Sequence, residues 1–155
     1  MGDRGRIPLI FQQPLVVDTC VLINLLATDC FAQIAQRVAP ALLVCSAVSA
    51  ESLYLRPLDP NSEPELVALD PLFASGLLTA CDCASDTEEQ LYVDYASKLD
   101  DGEAMSLAIA HARNLPLAND EKKAKRIIRD HAAHLQVIST TEILKAWAAD
   151  RSAAE

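Results

Sequence analysis

Four acidic residues stand where apolar runs stop or helical patterns start. Asp18 follows the run Leu15–Val17, and Glu51 lies in the first turns of a helical pattern that opens at Ser46. Glu103 opens the pattern leading into the run Leu115–Ala118, and Asp120 follows that run. Carboxylates gathered within about 5 Å repel one another by several kcal/mol at moderate effective dielectric. They respond by raising one another's pKa or by recruiting a cation. An all-oxygen donor set suits Mg²⁺ or Mn²⁺, and a divalent ion so held activates water and neutralises a phosphodiester in transition. Each acid also has an ordinary explanation. Asp18 and Asp120 are good helix N-caps, and Asp100 with Glu103 fits the D-x-x-E capping pattern.

The elements that must position these acids alternate. Leu15–Val17 is a short unbroken apolar run, the signature of a strand buried on both faces, and Thr19–Ala27 follows as a helix. Phe31–Val38 reads as a second helix ended by Pro40, Ala41–Cys45 as a strand, and Ala47–Leu55 as a helix with Ser46 as its cap. Arg56–Pro64 is a proline-rich loop, Glu65–Ala74 a helix and Leu77–Cys81 a strand. A helix capped by Asp86 or Thr87 runs to about Leu99, and another covers Ala104–Arg113. Strand Leu115–Ala118, helix Lys122–His131, strand Leu135–Ile138 and helix Glu142–Ala149, capped by Thr140 or Thr141, complete the pattern. Strands that alternate with helices imply parallel pairing with helices on both faces. The expected fold is a three-layer α/β/α sandwich with a mainly parallel sheet of about five strands. It forms one domain over residues 1–150, with 151–155 as a frayed tail. Leu15–Val17 is expected to be the central strand. Strand C-termini then share an edge, where Asp18 and Asp120 converge and Glu51 leans over them.

Composition narrows the classes. The chain has 155 residues, a net charge of −9 and few aromatic residues, so the core is expected to be aliphatic. The acidic balance repels nucleic acid at long range and counts against a DNA-coating module. No apolar stretch is long enough to span a bilayer, and no apolar leader follows Met1–Arg6, so a cytoplasmic protein without a membrane partner is expected. Cys20, Cys30 and Cys45 read as small packing hydrophobes. Cys81 and Cys83, with His131 and His134, lack the partner set of a zinc site. One basic concentration exists: Lys122, Lys123, Lys125, Arg126 and Arg129, directly after Asp120. It is either a solvated helix face or a phosphate-backbone contact, with Lys122, Lys123 and Lys125 as the candidate RNA-binding residues.

The run VVDTCVLINLL resembles the first motif of PIN-domain nucleases, and LVCSAVSAESL the second, through Val48 and Glu51. The segment LDDGEAMSLAIAHARNLPLANDEKKAKRI is similar to the third and fourth, and LQVISTTEILKAW to the closing strand and helix of the subgroup with a G-E-A motif. The resemblance spans about Leu15 to Trp147. It implies an Mg²⁺- or Mn²⁺-dependent endoribonuclease, in which Asp18, Glu51, Glu103 and Asp120 are catalytic. Asp18, Glu103 and Asp120 would bind the metal, and Thr19 and Asn24 would support them. It also implies a homodimer and a toxin paired with a small antitoxin protein, through loop 56–64 or helices 19–38. One departure stands out. Met105 occupies a position where the subgroup often has a second acid, which leaves Glu103, Asp100 or Asp101 as the third acid. Met105 and the net charge of −9 also fit a PIN-like interaction module with little or no nuclease activity.

Overall fold

A computed structural model describes residues 9–51 and 53–154. Its centre is a five-stranded, all-parallel sheet, with β1 (Leu15–Val17), β2 (Leu42–Cys45), β5 (Thr79–Cys81), β6 (Leu117–Ala118) and β7 (Val137–Ile138) in the order β5-β2-β1-β6-β7. The apolar run of β1 is fully buried because both neighbours are strands, with Val16 in register with Leu43 on one side and Leu117 on the other. Helix α6 (Asp101–Arg113) lies against β1, β2 and β6, and packs on α5 (Asp86–Ala96) and α3 (Ser46–Ser49). Helices α1 (Thr19–Leu26), α2 (Phe31–Val38) and α8 (Thr140–Ala154) pack together. With α4 (Asp70–Ala74) and α7 (Lys122–His131), eight helices flank the sheet among the described residues. The expected α/β/α sandwich is observed, with β1 at its centre.

Several helix boundaries differ from the sequence reading for local reasons. The pattern over Ala47–Leu55 is not one helix. Helix α3 stops at Ser49, and Tyr54–Leu55 (β3) pairs antiparallel with Glu65–Leu66 (β4). Serine competes with the helix backbone for hydrogen bonds, and Pro57 bars a helix just beyond. Glu65–Ala74 likewise divides into β4 and α4, because Pro71 belongs at a helix start. Helix α8 continues to Ala154, so residues 151–154 are helical rather than frayed; Glu155 and Met1–Arg6 lie outside the described residues.

Two caps sit one or two residues earlier than expected, and the expected Asp100 cap is observed. Ser85 caps α5 by accepting from the Glu88 N–H (3.2 Å). Ser139 caps α8 by accepting from the Glu142 N–H (3.1 Å) at its hydroxyl, while its own backbone N–H donates to the Glu142 carboxylate (3.4 Å). This reciprocal arrangement is a capping box. Asp100 caps α6 through the Glu103 N–H at 2.9 Å and starts that helix earlier than Ala104.

The chain runs outward from β1 through β2 to β5, then returns to β1's other side for β6 and β7. The order reverses at β1, and in open parallel sheets the crevice beyond such a reversal is where ligands bind. Its floor depends on α1, whose Leu22 is fully buried behind Asp18. Leu22→Ala should lower unfolding free energy by about 2–5 kcal/mol in a urea titration. Leu58→Ala, on the fully exposed loop, should stay within about 0.5 kcal/mol.

Candidate functional site

Asp18 follows the last residue of β1 and precedes α1, and its N–H completes the ladder to Ala118 (3.1 Å). Helix α1 draws no side-chain cap from it, so the carboxylate is not spent on capping. Only 2% of the residue is exposed. One oxygen, Oδ2, accepts from the Cys20 thiol (3.3 Å) and from Asn119 Nδ2 (3.4 Å). The other, Oδ1, is buried without a hydrogen-bond partner. A buried, unpartnered carboxylate oxygen is costly and is rarely retained without a use.

Asp18 opens onto a cleft of about 230 Å³ lined also by Thr19, Cys20, Ile23, Glu51, Asp100, Glu103 and Glu121. Burial raises the Asp18 pKa to about 6, against weaker lowering by the Cys20 thiol and the adjacent Thr19 N–H, with Asp100 and Glu51 adding to the rise. Burial raises Glu103 to about 7, assisted by the charges of Asp100, Asp18 and Glu121. Glu51 is also shifted upward, by burial first and Asp100 second. The Thr19 hydroxyl faces Glu51 and lowers it somewhat, without making a hydrogen bond of ordinary geometry. Gly102, in the first turn of α6, makes room for this arrangement. A Cβ there would collide with Glu51 Oε1.

The structure therefore gathers Asp18, Glu51, Glu103 and Thr19 around one cleft, with Asp100 as both helix cap and lining residue. Asp120 is not among the lining residues, although its backbone and charge both act on Cys20 in the cleft wall. That carboxylate accepts from the Thr140 N–H (2.8 Å), the Thr140 hydroxyl (2.6 Å) and Asn24 Nδ2 (3.0 Å). Asp120 and Asn24 thus fasten α8 to α1, and Glu121 takes the place in the cleft expected for Asp120. Asp101 accepts from the Tyr92 hydroxyl (3.2 Å) and also stands outside the cleft lining. Lys122, Lys123 and Lys125 are exposed on α7, directly after Glu121.

Two lining or supporting residues carry no sequence signal of their own. Asn119 is buried, bonds Asp18 and accepts from the Glu121 N–H (2.7 Å), so it orders both sides of the cleft. Its position at the end of a short apolar run was the available clue. Cys20, expected as packing, does pack against the core and also forms part of the cleft wall. Burial raises its pKa to about 12, which keeps it a neutral donor to Asp18.

The donor set suits a hard divalent cation: several carboxylates and one unpartnered buried oxygen. As the side chains lie, no three His, Cys, Asp or Glu residues among those described stand close enough to hold a metal by themselves. Mg²⁺ does not require such a cage, since it is commonly held by one or two carboxylates and keeps several waters. Comparison with protein-family models and with curated proteins finds no match. The cleft itself carries the functional reading.

The raised pKa values have a definite stability sign. A carboxyl group with a higher pKa in the folded state favours folding below its unfolded pKa, and that contribution is lost as pH rises through the folded value. For Asp18 the window runs from about 4 to about 6, and the shift is worth on the order of 3 kcal/mol. Asp18→Asn should therefore melt above the wild type at pH 8 and close to it at pH 4. Asp120→Asn should melt below the wild type at both, because its partners at Thr140 and Asn24 lose a charged acceptor.

Proposed function

We propose that the chain is a divalent-metal-dependent endoribonuclease of the PIN type that hydrolyses RNA phosphodiester bonds. The observation that carries this reading is the buried Asp18 carboxylate, with one oxygen unpartnered, facing Glu51, Glu103, Asp100 and Glu121 at the sheet's reversal point. Asp18, with Glu51 or Glu103, would hold the cation. A bound Mg²⁺ or Mn²⁺ supplies an activated water and neutralises charge on the scissile phosphate.

The protein's own groups divide the remaining work. Asn119 holds Asp18 through Oδ2, while Oδ1 stays buried and without a hydrogen-bond partner. Burial and the neighbouring acids raise Glu103 to about 7, so a cation held there would displace a proton. Lys122, Lys123 and Lys125 project from the helix that starts beside Glu121, where they can hold the RNA backbone. The local basic face offsets the net charge of −9 that would otherwise repel the substrate. A toxin role with a small antitoxin, a homodimeric state and a cytoplasmic location belong to this reading through the PIN resemblance. No helix among the described residues is long and apolar enough to cross a membrane.

A second reading rests on its own observation. Asp120 is committed to Thr140 and Asn24, and Met105 stands on the helix that carries Glu103. A PIN-like interaction module with little cleavage would tolerate both.

Asp18→Asn should abolish cleavage of a single-stranded RNA and remove the calorimetric heat of Mn²⁺ binding. Cleavage at the wild-type rate in that variant would overturn the nuclease assignment, and absence of Mn²⁺ heat in the wild type would favour the interaction module. Replacing both Lys122 and Lys125 by Ala should weaken RNA binding and lower the slope of log affinity against log salt by roughly 1–2. Mn²⁺ affinity should stay within a few-fold.

A further inference from the structure

The acidic cleft does not end at its carboxylates. Ile23 of α1 lines it, and the same side chain lines a neighbouring groove of about 540 Å³. That volume lies within the range of small-ligand pockets, about 300–1,000 Å³. Tyr54, Arg56, Pro57, Asp29 and Glu65 stand in the groove's walls. Of the Phe, Tyr and Trp residues, Tyr54 alone is exposed, at 51%. Its backbone is nonetheless fixed. Tyr54 pairs with Leu66 across β3 and β4, and the buried Leu53 beside it accepts from the Val67 N–H (2.8 Å). Arg56 leaves β3 next, restricted toward an extended backbone by Pro57. It makes no ion pair among the described residues.

We propose that this groove is a nucleotide subsite, in which Tyr54 stacks on a base flanking the scissile phosphate and Arg56 holds a phosphate of the same strand. The inference rests on the ribonuclease reading above and deepens it. Single-stranded RNA presents unstacked bases, which aromatic faces and guanidinium planes bind. Helix α7 offers cations but no Phe, Tyr or Trp, so its contacts position the strand without stacking on it. The two places meet at the cleft. Glu121, directly before α7, lines it, and so does Ile23, the wall shared with the groove. Asp29 and Glu65 repel phosphate and are acceptors only, so they face base amino groups rather than the backbone. A protein partner could cover the same ring, but continuity with the cleft favours the strand that the cleft would cut.

The test is the affinity of the full chain, in EDTA, for a single-stranded RNA oligonucleotide of mixed sequence, read by fluorescence anisotropy beside a matched abasic chain. Tyr54→Ala should weaken RNA binding by about 5- to 100-fold and change abasic binding by less than about twofold, while Tyr54→Phe stays within about threefold of the wild type. Arg56→Ala should lower the slope of log affinity against log salt by roughly 0.7, and Tyr54→Ala should leave it unchanged. With Mn²⁺ present, Tyr54→Ala should raise KM for cleavage while kcat stays within about threefold.

Unchanged RNA affinity in Tyr54→Ala, or an equal loss on the abasic chain, would overturn the inference; cleavage retained in that variant would leave the nuclease reading standing. Stacking through Tyr54 without cleavage by the wild type would support the subsite and overturn the nuclease assignment. An altered oligomeric state in Tyr54→Ala with unchanged RNA affinity would give the ring to a protein contact and overturn the inference. A wild type that neither binds nor cleaves the RNA would overturn both. Tyr54→Leu makes the same comparison if the alanine variant fails to fold.

Discussion

The structure depends on one costly burial. A carboxylate at the end of the central strand is removed from water, given only two weak donors to one oxygen and none to the other. The parallel sheet makes this placement unavoidable. Parallel pairing sends every strand's C-terminus to the same edge, and the reversal of order at β1 opens a gap between the loops that leave β1, β2 and β6. Asp18 stands in that gap. Helix α6 then brings Asp100 and Glu103 from one side, the segment after α3 brings Glu51, and the turn after β6 brings Glu121. The like charges raise one another's affinity for protons, so the cleft is electrostatically under-neutralised as it stands. A bound proton or a bound cation would each relieve that imbalance.

Other parts of the fold hold this gap open. Arg37 binds Asp150 through a bidentate pair that fastens α2 to α8, and Asp120 fastens α8 to α1 through Thr140 and Asn24. Arg113 pairs with the buried Glu88 and donates to the Asp82 carbonyl, while the Asp82 carboxylate accepts from the Ser46 N–H at the start of α3. The segment carrying Glu51 is thereby tied to the loop after β5. Gly102 lets that segment approach α6 at a cost in helix propensity of about 1 kcal/mol relative to alanine. Local stability is given up where the acids must meet.

Much of the fold was legible in the residues. Unbroken apolar runs marked β1, β2 and β6 because a strand buried on both faces has no polar side to show. The helices Phe31–Val38 and Lys122–His131 matched their patterns because their apolar faces repeat cleanly. The segment from Ala47 to Ala74 was harder. Its pattern of Val48, Glu51 and Leu55 imitates a helix, but the pairing of Tyr54 with Leu66 is set by a contact across the intervening loop. At the site, Asp18 and Glu103 could be placed from their elements alone, whereas Glu51 reaches the cleft from the segment after α3 and not from the helix expected to carry it. The exchange of Asp120 for Glu121 could not, because it turns on which side chain meets the start of α8, an element many residues later in the chain. Asn119 and Cys20 were invisible for a similar reason. Their roles lie in what they touch rather than in what they are.

The pairing of β1 with β6 also sets the order in which the molecule becomes competent. Asp18 and its partner Asn119 are separated by 101 positions. During synthesis Asp18 and Cys20 emerge early, yet β1 has no neighbour on its β6 side until most of the domain has followed. Contacts that distant form slowly, since the loop between them must be ordered first. The cleft is thus among the last features to close, and a nascent chain carries its key acid in water, fully solvated, until β6 arrives.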